Sequence, residues 1–279
     1  MSGTLKPVNS LVRTVLGLFK LRIGFMIMLT ALVGLAVAPG PALGALQVLV
    51  LALTVLVASA SAGAFNQYYE HDSDHLMART RGRAFVTGAL PHTPAWLVLM
   101  AALLIGAVGA AAWFLNAVSA TFVFLGAFFY AVVYTVWLKR RSWLNIVVGG
   151  MAGSFAVLAG AAAVDPVPGA LAWLLAAVLF LWTPPHFWSL AIANQAEYEA
   201  AGVPMLPVVV GCLGLHASFS GARLHSQRRL CCQSFSELAR SIWPARSRVA
   251  AISSTRPGAW PARLRARPPW APFLPLWFN

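Results

Sequence analysis

Long apolar runs alternate along this chain with short polar segments, and that alternation sets the first expectations. No charged residue occurs from Ile23 to Phe65, and none from Ala84 to Leu138. A helix needs about 20 apolar residues to cross roughly 30 Å of hydrocarbon. Six stretches meet or approach that length: 23–38, slightly short, then 45–65, 95–115, 118–138, 144–164 and 169–192. Pro39-Gly40-Pro41, Asn116 and Asp165-Pro166-Val167-Pro168 separate consecutive runs, and all are turn signals. The pattern predicts an all-α, polytopic membrane helical bundle over residues 1–210.

Loop charge predicts the orientation. The N-terminal arm, the 66–94 loop and Lys139-Arg140-Arg141 hold all ten cationic residues of the first 210, and the intervening loops hold none. By the positive-inside rule, the N-terminus and the basic loops face the cytoplasm. No cleavable signal pattern precedes the first span, so direct insertion by that span is expected.

Composition agrees with a membrane chain: 59% of the 279 residues are hydrophobic and 10% are charged. The net charge of +13 suggests nucleic acid until it is divided. Residues 1–210 carry +4 and residues 211–279 carry +9, so the basicity belongs mainly to the tail and no nucleic-acid partner is expected. The tail is rich in Arg, Pro, Ser and Trp and contains no long apolar run. A basic segment lying on the membrane surface is one reading of it. The product of a shifted reading frame, without a defined fold, is the other. Cys212, Cys231 and Cys232 all fall there, without zinc-ligand spacing, and are expected to be free thiols.

Candidate chemistry concentrates where polar residues interrupt the lipid-like text. Asn66 to Arg83 packs three carboxylates and three arginines into eighteen residues at the mouth of the second span. Ionisable groups in such places usually mark a site. Asn66, Glu70 and Asp74 recur at every fourth residue, which puts them on one helical face. Three oxygen side chains in line suit Mg²⁺, which prefers carboxylates together with substrate phosphate oxygens. Asp72 falls on another face. Arg79 and Arg83 follow at a distance suited to phosphate contacts. Simple topogenic charge accounts equally well for Lys139 and its neighbours, whereas Asn145, a polar amide at the start of a span, needs a partner. In the sixth span, Pro184-Pro185 interrupts the backbone ladder, and His186 stands beside Phe187 and Trp188, suited either to a flat aromatic substrate or to a packing kink. A second acidic mouth follows on the same side, with Glu197, Tyr198 and Glu199.

These segments together resemble the UbiA-type membrane prenyltransferases, and within them the haem-farnesylating (haem O synthase) branch. The resemblance spans roughly residues 15–210. It runs through Phe19–Ile23, Asn66–Arg83, Leu138–Gly160, Trp182–Trp188 and Tyr198–Pro207. It implies nine spans around a central cavity, of which six are evident here. It also implies farnesyl diphosphate and haem B as substrates, with Mg²⁺ held by Asn66, Glu70, Asp74 and Glu197. Arg79, Arg83 and Lys139 would meet the pyrophosphate, and Asn145, Tyr198 and His186 would contact the substrates. The family usually has Asp at the positions of Glu70 and Glu197. A bacterial cytoplasmic membrane is the implied location, with the lipid bilayer and haem-handling or oxidase-assembly proteins as surroundings. The rivals are a quinone-type aromatic acceptor, an inactive incomplete member, and a transporter or passive membrane scaffold.

Overall fold

The computed structural model describes residues 8–209, and every regular element among them is helical. Helix α1 (Val8–Leu18) leads into α2 (Leu21–Val37), then α3 (Ala45–Tyr69) and the single turn α4 (His71–Asp74). After a loop come α5 (Ala95–Phe114) and α6 (Ala117–Phe128), which passes without a break into a π-helix (Phe129–Leu138). The chain then forms α7 (Asn145–Gly149), α8 (Met151–Val164), α9 (Ala170–Ala193) and α10 (Gln195–Ala200). The basic tail of residues 211–279 lies outside the described residues.

Five helical stretches are long and apolar enough to cross a membrane: Ala45–Tyr69, Ala95–Phe114, Ala117–Leu138, Asn145–Val164 and Ala170–Ala193. The short first run supplies a sixth only when α2 is joined to the end of α1 across a 48° bend. Lys20 sits at that bend and takes a left-handed backbone (φ 48°), which a non-glycine residue rarely adopts. Its side chain reaches into the site described below.

Small residues let the helices approach closely, as membrane bundles require where lipid gives no hydrophobic drive between helices. The core gathers Ala31, Leu51, Ala58, Ala111, Val123 and Ala159 from α2, α3, α5, α6 and α8. The crossing of α2 and α8 is the tightest of these approaches. A Cβ on Gly160 would stand 1.8 Å from the Ala31 carbonyl oxygen, and one on Gly34 would stand 2.1 Å from that of Val157. Serine hydroxyls tie further helices together: Ser61 donates to the Met100 carbonyl at 2.7 Å and Ser119 to that of Ala159 at 2.8 Å. Asn116, read as a turn residue, is the N-cap of α6. Its Oδ1 accepts from the Ser119 N–H at 2.8 Å, and its amide donates to the Ala162 carbonyl at 2.6 Å.

Pro184 and Pro185 lie inside α9, which continues through them as far as Ala193. The two rings remove the N–H partners of the Phe180 and Leu181 carbonyls without ending the helix.

Candidate functional site

The acidic motif keeps helical phase across the end of α3. Glu70 is the C-cap of α3, and its N–H donates to the Asn66 carbonyl at 3.0 Å. The Asp74 N–H donates to the Glu70 carbonyl at 2.9 Å. The four-residue spacing therefore still stacks Asn66, Glu70 and Asp74 on one side, and all three are buried. Asp72 points elsewhere: its side chain is exposed and meets His71.

Cations surround the two buried carboxylates. Lys139, just beyond the π-helix, pairs with one Glu70 oxygen, and Arg83 approaches the other at 3.4 Å. Arg83 also pairs closely with Asp74, so one guanidinium bridges both acids. Thr80 secures the loop between them by donating to the Asp74 carbonyl at 3.0 Å. Asn66 is oriented by two contacts, accepting from Lys20 Nζ at 2.8 Å and donating to Thr135 at 3.1 Å. Lys20 Nζ also reaches the Tyr130 hydroxyl at 3.3 Å.

This environment separates the two carboxylates electrostatically. Burial pushes the Glu70 carboxyl up, but Lys139, with Arg83 and Lys20 in support, outweighs it and holds the group below the usual carboxylate range. Asp74 goes the other way. Burial raises it, the negative charge of Glu70 adds to that, and Arg83 does not fully compensate. Lys139 lies below the usual lysine range because burial outweighs the attraction of Glu70.

The second acidic mouth packs against the first. Tyr198, Ala201, Val203 and Met205 from the α10 region join Met77 and Ile146 in one buried cluster, with Tyr134 against it. Burial raises the Tyr198 hydroxyl, while the Arg79 guanidinium draws it down and Glu197 and Glu70 push it up. Arg79, Tyr198, Glu197 and Glu70 thus share one electrostatic neighbourhood. Glu197 is half-buried beside Tyr198. Among the described residues, no three of Asp, Glu, His and Cys converge as a ready-made metal cluster.

Asn145 is fully buried. Its amide donates to the Lys139 carbonyl at 3.0 Å, and its Oδ1 has no hydrogen-bond partner. His186 stacks on Trp182 at 4.4 Å, with Phe187 edge-on at 5.3 Å. Sequence reasoning passed over Lys20, Tyr130, Tyr134 and Thr135. Lys20 reads as topogenic charge, and Tyr130 and Tyr134 read as lipid-facing or packing residues, as aromatics in apolar runs usually are.

Comparison with known proteins bears on this arrangement. Residues 27–220 match the UbiA prenyltransferase family. Protoheme IX farnesyltransferase 2 of Paramagnetospirillum magneticum is 54% identical over 191 residues, covering 68% of this chain and 66% of that protein. Protoheme IX farnesyltransferase 1 of the same organism is 50% identical over 200 residues, covering 71% and 70%. The protoheme IX farnesyltransferase of Granulibacter bethesdensis is 42% identical over 197 residues, covering 70% and 61%. The chain thus spans about two thirds of the length of the relatives it matches. A solved UbiA homologue from Archaeoglobus fulgidus, bound to DMAPP and Mg²⁺, shares the fold with a TM-score of 0.63 at 15% identity, over 86% of this chain and 81% of that one. The helical bundle, the family match across most of the described residues and the close relatives agree: this chain is an integral membrane protein that belongs to the UbiA prenyltransferase family.

Proposed function

We propose that this chain transfers a farnesyl group from farnesyl diphosphate to a vinyl group of haem B, giving haem O, at the cytoplasmic face of a bacterial inner membrane. The observation that carries the proposal is the buried Glu70–Asp74 pair, bridged by Arg83 with Lys139 on Glu70, set against the Tyr198 loop. The names of the relatives supply the acceptor and the donor.

The oxygen donors present fit Mg²⁺. Asn66 Oδ1 and the carboxylates of Glu70 and Asp74 are hard, buried oxygen donors on successive turns that would hold the ion by exchanging their partners Lys20, Lys139 and Arg83, with Glu197 the candidate from the facing loop. A site poor in clustered acids suits an ion that takes one or two carboxylates and completes its shell with water and substrate phosphate. When bound, Mg²⁺ would supply positive charge to the diphosphate oxygens.

The chain's own residues have separate tasks. Arg79, Arg83 and Lys139 offer donors to the departing pyrophosphate, where preorganised charge counts most. The allylic carbon–oxygen bond breaks with its electron pair leaving on pyrophosphate. The vinyl carbon of haem bonds to the farnesyl carbon, and water adds to the resulting cation as hydroxide, releasing a proton. Tyr134, Tyr198 and the apolar cluster around Met77 keep bulk water from the allylic centre. Asn145 and His186 contact the substrates, and haem-handling or oxidase-assembly proteins bring the acceptor and take the product.

The test is reconstitution of the chain in lipid with haem B, farnesyl diphosphate and Mg²⁺, followed by mass spectrometry of the haem. The expected product carries the mass of farnesyl plus hydroxyl, and Asp74→Ala lowers its yield at least about a hundredfold. Haem B recovered unchanged while a quinone precursor is alkylated would replace the acceptor. Normal haem O formation by Asp74→Ala would end the metal assignment.

A further inference from the structure

The π-helix of residues 129–138 is the one long departure from α geometry among the described residues. Its register is visible in the bonds it makes. The Lys139 N–H donates to the Tyr134 carbonyl at 2.9 Å, five residues back. The Thr135 hydroxyl donates at 2.8 Å to the carbonyl of Tyr130, again five residues back. Such segments are uncommon beyond a single turn and gather at functional sites.

Phase explains what this one does. An α-helix turns about 100° per residue, whereas a π-helix, bonded i→i+5, turns roughly 82°. In α geometry Lys139 would point roughly 180° away from Tyr130; in π geometry it comes within roughly 20° of it. Tyr134 and Thr135 then fall roughly 30° and 50° to either side. The contacts follow that face. Tyr130 meets Lys20, Thr135 meets Asn66, and Lys139 meets Glu70. Tyr130 and Tyr134 stack with centroids 5.9 Å apart and planes within 9°, while Val132 and Trp137 are exposed on the other side.

We infer that the π register of residues 129–138 is a positioning device: it carries two residues more than an α-helix of equal turns and so brings Lys139 onto Glu70 along the same face as Tyr130 and Thr135. The geometry stands by itself, and its bearing on transfer rests on the function proposed above. Neither Val132 nor Val136 belongs to the site face.

Deleting Val132 alone leaves Lys139 roughly 80° from Tyr130 in α geometry, facing away from Glu70. Deleting both Val132 and Val136 leaves it seven residues on, back within roughly 20°, in an ordinary α-helix. The experiment measures the energetic coupling of Lys139→Met with Glu70→Gln, as non-additive shifts in melting temperature of the full chain in detergent, in three backgrounds. Coupling is expected in the native helix, absent after the single deletion and restored after the double deletion. A single deletion that fails to fold while the double deletion folds gives the same order. Coupling that survives the single deletion overturns the inference, as does a double deletion that fails to fold or folds uncoupled. Magnesium-dependent pyrophosphate release, followed in parallel, should fall about a hundredfold in the single deletion and recover to within about tenfold in the double. If the coupling follows this order but no variant, native helix included, releases pyrophosphate, the proposed function fails and the register stands.

Discussion

Replacing Lys139 by methionine removes the nearest partner of a carboxylate that cannot reach water. Glu70 is 4% exposed and Lys139 17%, so solvent replaces little of the lost attraction. Removing one partner of such a buried pair typically costs about 3–5 kcal/mol, because an uncompensated charge remains inside. Arg83 still stands 3.4 Å from the other Glu70 oxygen, so the lower end, about 3 kcal/mol, is expected. The pH dependence makes the reasoning specific. In the native chain Glu70 titrates below its unfolded value, so its contribution is present above that value and is lost as pH falls through the folded one. Without Lys139, burial dominates and raises the folded carboxyl above the unfolded value. The variant then regains stability as pH falls through that raised value, and the two stability curves converge in acid. The assay is thermal unfolding in detergent from neutral to acid pH. A gap between native and Lys139→Met that stays constant across that range would refute the electrostatic account and leave a packing defect.

Three further outcomes follow from the same structure. Gly160→Ala should destabilise by about 3 kcal/mol or more, since its Cβ would collide with the Ala31 backbone, which no side-chain rotation relieves. Gly153→Ala in the same helix meets open space and should be neutral or stabilising by up to about 1 kcal/mol; denaturant unfolding of both variants checks the contrast. Thr135→Val deprives the Asn66 amide of its acceptor and should cost about 1–3 kcal/mol, with a fall in turnover measured on the same preparation. Chelation of divalent cations should stop pyrophosphate release, and added Mg²⁺ should restore it, as read by a coupled phosphate assay.

The apolar runs made five of the spans legible to within a few residues, because lipid leaves the backbone no alternative to helix. The first run looked short because Arg22 and Lys20 cut it off from α1, which extends it only across the bend at Lys20. The stacking of Asn66, Glu70 and Asp74 was also legible, since i→i−4 bonds persist past Tyr69. What surrounds them was not. Lys20 and Thr135 come from segments far apart in sequence, and Lys139, expected at the pyrophosphate, is found paired with Glu70; composition carries no record of which segments become neighbours. The π segment was the least legible element: Phe129 to Leu138 reads as an ordinary apolar run, and its altered turn is set by the bonds it makes. Arg83 was identified with phosphate in mind, and in the structure it links the two carboxylates.

The close crossing of α2 with α8 also bears on how the chain is made. Ala31 and Gly160 are separated by about 130 residues, so the ribosome, adding roughly 5–20 residues per second, delivers the second partner on the order of ten seconds after the first. Throughout that interval the earliest hydrophobic segment waits in lipid with its glycine face uncovered. Biogenesis of this protein therefore contains a built-in delay, during which another small-residue segment in the same bilayer competes for that face until the proper mate emerges.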